Sequence, residues 1–246
     1  QLRYILEIYS DGGNECLRNV KFAEGEKTEV VFNVRLVPGH AYDFVVWADF
    51  VKNGEDTYYN TANGLDEISF KNYDAMTEAR DAYYNVVSIE AGEPVSKVNT
   101  ITLTRPFAKL RVVTTDMVDL KNLGIEPPFY ATMSYTEPVP TSFNAISGTI
   151  GDDYDSEAKV FSKFEIKNYD SNTTTNKTLF TDYVLIPESN VVKFTLDVYQ
   201  DAACTKLIKS NAFTTDIPVK RNNLTTIQGN ILTDGTGVNV TVDEVF

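Results

Sequence analysis

Histidine occurs once, cysteine twice and tryptophan once in this chain of 246 residues. A nucleophilic triad or a closed zinc site draws on several of these residues, so both are disfavoured from the outset. His40 follows Pro38-Gly39 and reads as a turn residue before a strand. Two cysteines are too few for a disulfide framework. A Cys16–Cys204 bridge would have to join two domains and is not expected. No apolar run is long enough to span a bilayer as a helix. Basic clusters are also lacking. There are 22 Lys and Arg against 35 Asp and Glu, a net charge of −13. Nucleic acid is therefore not an expected partner, because phosphate binding depends on basic patches. No glycine-rich phosphate loop is present, and no cofactor is expected.

Aromatic residues are plentiful, with 14 Tyr and 14 Phe, and these favour pleated surfaces. A period of two recurs along the chain. Leu2, Tyr4, Leu6 and Ile8 share one face, with Arg3 and Glu7 on the other. Phe32, Val34 and Leu36 alternate with Asn33 and Arg35. Tyr42, Phe44, Val46, Ala48 and Phe50 line one face of a long strand. The same alternation marks Ala108 to Val112, Val192 to Val198 and Val238 to Val242. Alternation of this kind predicts antiparallel sheets with one wet face. Pro38-Gly39, Asn53-Gly54, Asn63-Gly64 and Asp234-Gly235 punctuate the strands as turns. Short helices are expected over 74–83 and 115–123, the first capped by Asp74, the second by Thr115 or Asp116 and ended by Gly124. Pro106 breaks the ladder after Ile101 and Leu103. The chain is thus expected to form an all-β pair of domains, 1–105 and 106–246.

Two features could carry binding. The acidic run Asp152-Asp153-Tyr154-Asp155-Ser156-Glu157 offers oxygen ligands, but it lacks the spacing of a calcium loop and reads as a solvated loop. The doublets Tyr58-Tyr59 and Tyr83-Tyr84 must each turn one ring outward in a strand. Tyr58 and Tyr84 are the candidates for stacking on a ligand such as a glycan. No residue set meets the geometry that catalysis demands, and an enzyme is not expected.

Four stretches, in order along the chain, resemble fimbrillin-like lipoproteins of Bacteroidales bacteria. They are Leu36-Val-Pro-Gly-His-Ala-Tyr-Asp-Phe-Val-Val-Trp-Ala-Asp49, Asp81-Ala-Tyr-Tyr-Asn85, Arg105-Pro-Phe-Ala-Lys-Leu-Arg-Val112 and Arg221-Asn-Asn-Leu-Thr-Thr-Ile-Gln-Gly-Asn-Ile-Leu-Thr233. The resemblance implies two tandem transthyretin-like β-sandwich domains. It also implies a non-catalytic fimbrial or adhesin subunit at the cell surface of the outer membrane, exported as a lipoprotein precursor. Gln1 would then follow a removed leader, and only a lipid anchor on the precursor would touch the membrane. Its partners would be copies of itself or related fimbrial subunits, joined by β-strand addition. The alternative is a stand-alone surface lipoprotein that binds host proteins or glycans. Val238, Val240, Val242 and Val245 would form the donated strand, and Leu2, Tyr4, Leu6 and Ile8 the first-strand groove.

Overall fold

A computed structural model describes residues 1–11, 13–25, 27–73, 76–92, 97–127, 129–151, 160–170 and 173–244. In chain order the strands are β1 (Leu2–Ser10), β2 (Asn14–Phe22), β3 (Ala41–Phe50), β4 (Tyr59–Asn60), β5 (Ile68–Phe70), β6 (Ala82–Glu90), β7 (Phe107–Thr114), β8 (Phe129–Tyr135), β9 (Ser142–Asn144), β10 (Thr149–Ile150), β11 (Val160–Ile166), β12 (Lys177–Leu185), β13 (Ser189–Tyr199), β14 (Leu207–Lys220), β15 (Leu224–Gly229) and β16 (Asn239–Asp243). The fold is all-β, as the alternation predicts. Among the described residues, helix is confined to a single 3-10 turn, Glu78–Arg80, and the one-turn α1, Asp119–Asn122. Asp74 lies outside the described residues. Neither Thr115 nor Asp116 caps α1, because the residue at its N-terminus is Val118. The Asp116 carboxylate instead accepts from the backbone N–H groups of Leu232 and Thr233. Gly124 ends the helix in the left-handed region, at φ +73, which a residue without a Cβ adopts without strain.

The chain forms two compact units. The first comprises Gln1–Tyr73, Glu78–Pro106 and Thr141–Asp152; the second comprises Asp74–Thr77, Phe107–Pro140 and Asp153–Phe246. Residues 141–152, which follow the expected boundary at 106, fold into the first unit because β9 pairs with β5.

In the first unit one sheet has the order β2-β1-β3-β6 and the other β10-β9-β5-β4. The first sheet has no wet face at its centre. Ile5, Val45 and Trp47 are fully buried on the side of the small sheet. Trp47 meets Tyr59 edge-on at 5.2 Å, and Tyr84 meets Phe143 at 4.7 Å. This corrects the expectation that Arg3 and Glu7 face water: both are buried. Arg3 binds Asp49 through Nε and Nη2 at 2.9 and 2.8 Å, and Asp56 at 2.6 Å. Glu7 pairs with Arg18 and accepts from Leu65 N–H. Burial works against these charges, yet the Asp49 and Asp56 carboxylates raise the pKa of Arg3. Burial likewise opposes ionisation of Asp56, but the Thr61 N–H and Arg3 outweigh it and lower its pKa.

The second unit pairs the sheets β11-β8-β13-β14 and β12-β7-β15-β16. All pairs are antiparallel except β7 with β15. Here the period of two holds: Ala131, Met133, Phe194, Leu196, Val198, Leu110 and Val112 are buried between the sheets. Tyr135 donates to Asp182 across them at 2.7 Å, which satisfies two polar groups that would each cost stability if buried alone.

Candidate functional site

The other face of the β1–β3 sheet carries the site. Tyr4, Leu6 and Ile8 on β1 and Tyr42, Phe44, Val46 and Ala48 on β3 form an apolar floor. In a two-layer domain a second sheet covers such a floor. Here two extended segments lie over it, residues 28–37 and 97–104. Val30, Phe32, Val34 and Leu36 from the first, and Ile101 and Leu103 from the second, pack onto the floor. The residues between them point away: Val31 is 72% exposed, Val37 60% and Val98 91%.

Both segments have the side-chain pattern of strands, but neither is in a sheet. Among the described residues, 28–38 and 97–103 make no backbone–backbone hydrogen bond. Side chains reach some of their backbone groups. Tyr4 Oη donates to Thr28 O. Lys21 Nζ donates to Val31 O at 2.6 Å, and its charge sits over the Phe32 ring. Val37 N–H donates to Tyr42 Oη at 3.2 Å, and Asn85 Nδ2 donates to Thr102 O at 2.7 Å. The ladder closes only at Thr104, which exchanges two backbone bonds with Tyr84. Rows of unpaired N–H and C=O groups over an apolar floor are what an added strand requires.

The expected first-strand groove residues Leu2, Tyr4, Leu6 and Ile8 thus lie at this floor. They do not lie at an open edge, since β1 is paired on both sides by β2 and β3. The expected donor residues lie in the other unit. Val240 and Val242 stand opposite Ile227 and Thr225 in the β15–β16 ladder. They therefore point to the core side of the sheet, since Ile227 and Thr225 are fully buried. Even so, Val238 is 42% exposed and Val242 39%. Strand β16 is an edge strand held on one side, in its own sheet. Val245 lies outside the described residues.

The remaining candidates are structural or fall elsewhere. The Tyr84 ring is engaged by Phe143, and its hydroxyl lies close to Gly148. Tyr58 is half-buried in the loop before β4 and receives the N–H groups of Lys71 and Asn72 on its carbonyl. His40 Nδ1 pairs with Asp11 at 2.7 Å, an exposed contact between two turns that lowers the Asp11 pKa. Cys204 carries a free thiol, and the side chain of Cys16 lies outside the described residues. The acidic run 152–157 lies outside the described residues. Among the described residues no group of three or more metal-ligating side chains occurs, and none of their helices is long and apolar enough to cross a membrane.

A family model matches residues 1–246, and the chain belongs to that family, a family of unknown function (DUF6562). No curated protein matches it. Among solved structures, the chain is similar to a candidate polysaccharide-binding protein (DUF1812) from Bacteroides thetaiotaomicron. The TM-score is 0.58 at 13% identity, over 98% of this chain and 88% of that one. A candidate adhesin from the same species gives a TM-score of 0.51 at 12% identity, over the same shares, 98% and 88%. At such identities the likeness is one of fold.

Proposed function

We propose that this protein is a non-catalytic cell-surface subunit, fimbrial or adhesive, that assembles by β-strand addition. One observation carries the reading: the apolar floor of the first unit is covered by two strand-like segments that lack ladder partners. Backbone groups along such edges supply affinity, and pockets for alternate side chains supply register. The adhesin fold neighbour and the fimbrillin-like stretches support a place at the cell surface, reached as a lipid-anchored precursor. The donor is the C-terminal segment around β16. Its valines keep the period of two that an incoming strand needs, and their exposure means that β16 buries little in its own unit. A glycan-binding role for Tyr58 and Tyr84 is the weaker reading, because the Tyr84 ring is already packed.

The test is expression of the full precursor in a Bacteroidales host, followed by electrophoresis of surface fractions without boiling. Strand-joined polymers run as a ladder of SDS-resistant species, and deletion of 238–246 abolishes the ladder. A chain that stays monomeric at the surface, or a ladder that survives the deletion, contradicts the reading.

A further inference from the structure

The outer face of the β12-β7-β15-β16 sheet, in the second unit, carries groups that neither the core nor strand addition uses. Leu110, Val112, Thr225 and Ile227 turn to the core. Arg111, Thr226 and Gln228 therefore turn outward, and the ladder lines them up in rows. Arg111 stands between Thr181 on β12 and Thr226 on β15, and Thr226 stands beside Thr241 on β16. The row on one side holds Val113, Gln228 and Asn239. The row on the other holds Lys109, Leu224 and Asp243.

Arg111 is the odd group in this array. Acidic residues outnumber basic ones by 35 to 22, yet its own row and the row of Val113 contain no carboxylate. Asp243 sits instead in the row of Lys109. Among the described residues, Arg111 makes one hydrogen bond, from Nη2 to Thr226 Oγ1 at 3.0 Å, and no ion pair. Its Nε is buried without a partner. A half-buried guanidinium with most of its donor fork unused is costly to desolvate, and a bound anion offsets that cost.

Beside this guanidinium lies a cleft of about 250 Å³. Thr115, Thr226 and Thr241 bring hydroxyls to it, and Gln228 and Asn239 bring amides. These groups both donate and accept, which suits a ligand whose own groups do both. Gly229 and Gly237 complete the lining. A Cβ on Gly229 would stand 2.7 Å from Val238 Cα, so glycine is what lets the chain close this end of the cleft. The volume lies below the roughly 300–1,000 Å³ of sites for drug-sized ligands, which leaves room for one small ring. Gln228, Asn239 and Thr241 are exposed, so the cleft is open to solvent. No aromatic side chain lines it, so affinity rests on polar groups that must give up water.

We propose that this cleft binds a carboxylated sugar, one residue of an acidic glycan. The carboxylate lies on Arg111, whose planar fork matches it, and the ring hydroxyls meet Thr226, Thr241, Gln228 and Asn239. Thr226 also positions the guanidinium. The inference goes beyond the strand-addition reading and does not rest on it. Asn239 and Thr241 belong to β16, so the cleft is complete while that strand stays in its own sheet.

The test is titration of the isotope-labelled chain, 1–246, with methyl glucuronide, methyl galacturonide and methyl sialoside at constant ionic strength, followed by amide NMR shifts. At least one of these sugars should move the amides of Gly229, Gly237 and Asn239, with a Kd of about 1 mM or below. Methyl glucoside, which lacks the carboxylate, should bind at least about tenfold more weakly, and so should N-acetylglycine, which lacks the sugar. Arg111→Gln should weaken the sugar by at least about tenfold. Gln228→Ala combined with Asn239→Ala should weaken it by about threefold or more. These two positions are exposed, so the double variant decides the matter if Arg111→Gln does not fold. No shift with any of the carboxylated sugars, equal binding of methyl glucoside, or unchanged binding in the double variant would overturn the assignment. N-acetylglycine binding as tightly as the sugars would make the cleft a site for carboxylates such as peptide ends, and would overturn it too.

Discussion

The two units of the chain solve the same problem differently. The second unit closes on itself: two four-stranded sheets face each other, and the inward residues of β7, β8 and β13 are buried in alternation. The first unit has a central sheet buried on both faces, one by a small sheet and the other by segments that make no ladder. Side-chain packing can therefore be nearly complete while backbone pairing is not. The two are separable because burial follows the alternation of side chains, whereas pairing depends on which strand lies alongside. A unit that has satisfied the first requirement and not the second is stable enough to fold and still has hydrogen-bonding capacity to offer.

The sharpest break of this comparison is at the buried charges. Arg3→Ala leaves Asp49 buried without its cation and should cost about 3–5 kcal/mol of first-unit stability. Trp47, the single tryptophan, lies in the first unit, so its fluorescence in a urea titration reads that unit alone. Its transition should move to lower urea in Arg3→Ala, while the part of the far-ultraviolet circular dichroism signal due to the second unit stays in place. A common shift of both signals would show that the units do not differ in this way. Next in size is the effect of an added strand. A synthetic peptide of residues 237–246 at a hundred times its Kd should stabilise the first unit by about 2.7 kcal/mol, seen by the same fluorescence, and leave the second unchanged.

A matched pair of truncations gives a direct contrast. Leu196→Ala, in the closed core of the second unit, should cost about 2–5 kcal/mol. Val34→Ala, on a half-buried covering segment, should cost less than about 1 kcal/mol. Equal costs would mean that the segment is as fixed as a core strand. The smallest effect concerns pH. The folded pKa of Asp56 lies below its unfolded value, so its contribution is present above the unfolded pKa and is lost as pH falls through the folded one. First-unit stability should therefore fall more steeply below about pH 4 in the parent chain than in Asp56→Asn, measured as urea midpoints against pH.

Much of this fold was legible in the sequence. The period of two located β1, β3, β7, β13 and β16, and the Pro38-Gly39 and Asn53-Gly54 turns fall where the chain reverses, with Gly39 and Gly54 at positive φ. What alternation cannot tell is which face stays dry. Arg3 and Glu7 look like surface residues until Asp49, Asp56 and Arg18, each distant in sequence, are seen to neutralise them. Pairing across long separations was equally hidden: nothing in Ser142-Phe143-Asn144 announces a partner at Ile68 and Ser69. For the site, the floor residues Tyr4, Leu6 and Ile8 and the covering residues Phe32, Val34 and Leu36 were all read as strand-forming. Their relation was not legible, since a strand with a ladder and one without it share the same alternation of side chains.

The central claim is that the first unit receives a strand from another copy, and disulfide capture tests it most directly. In a chain made free of its own thiols by Cys16→Ser and Cys204→Ser, Val34→Cys is combined in turn with Val238→Cys, Val240→Cys or Val242→Cys. Neighbouring strands place facing side chains about 4.5–5.5 Å apart at Cβ, within reach of a disulfide. At least one of the three pairs should give a covalent ladder on mild oxidation. Val191→Cys, exposed in the second unit, should give none when combined with Val34→Cys. Monomers in all three pairs, from a chain that still polymerises, would contradict the account.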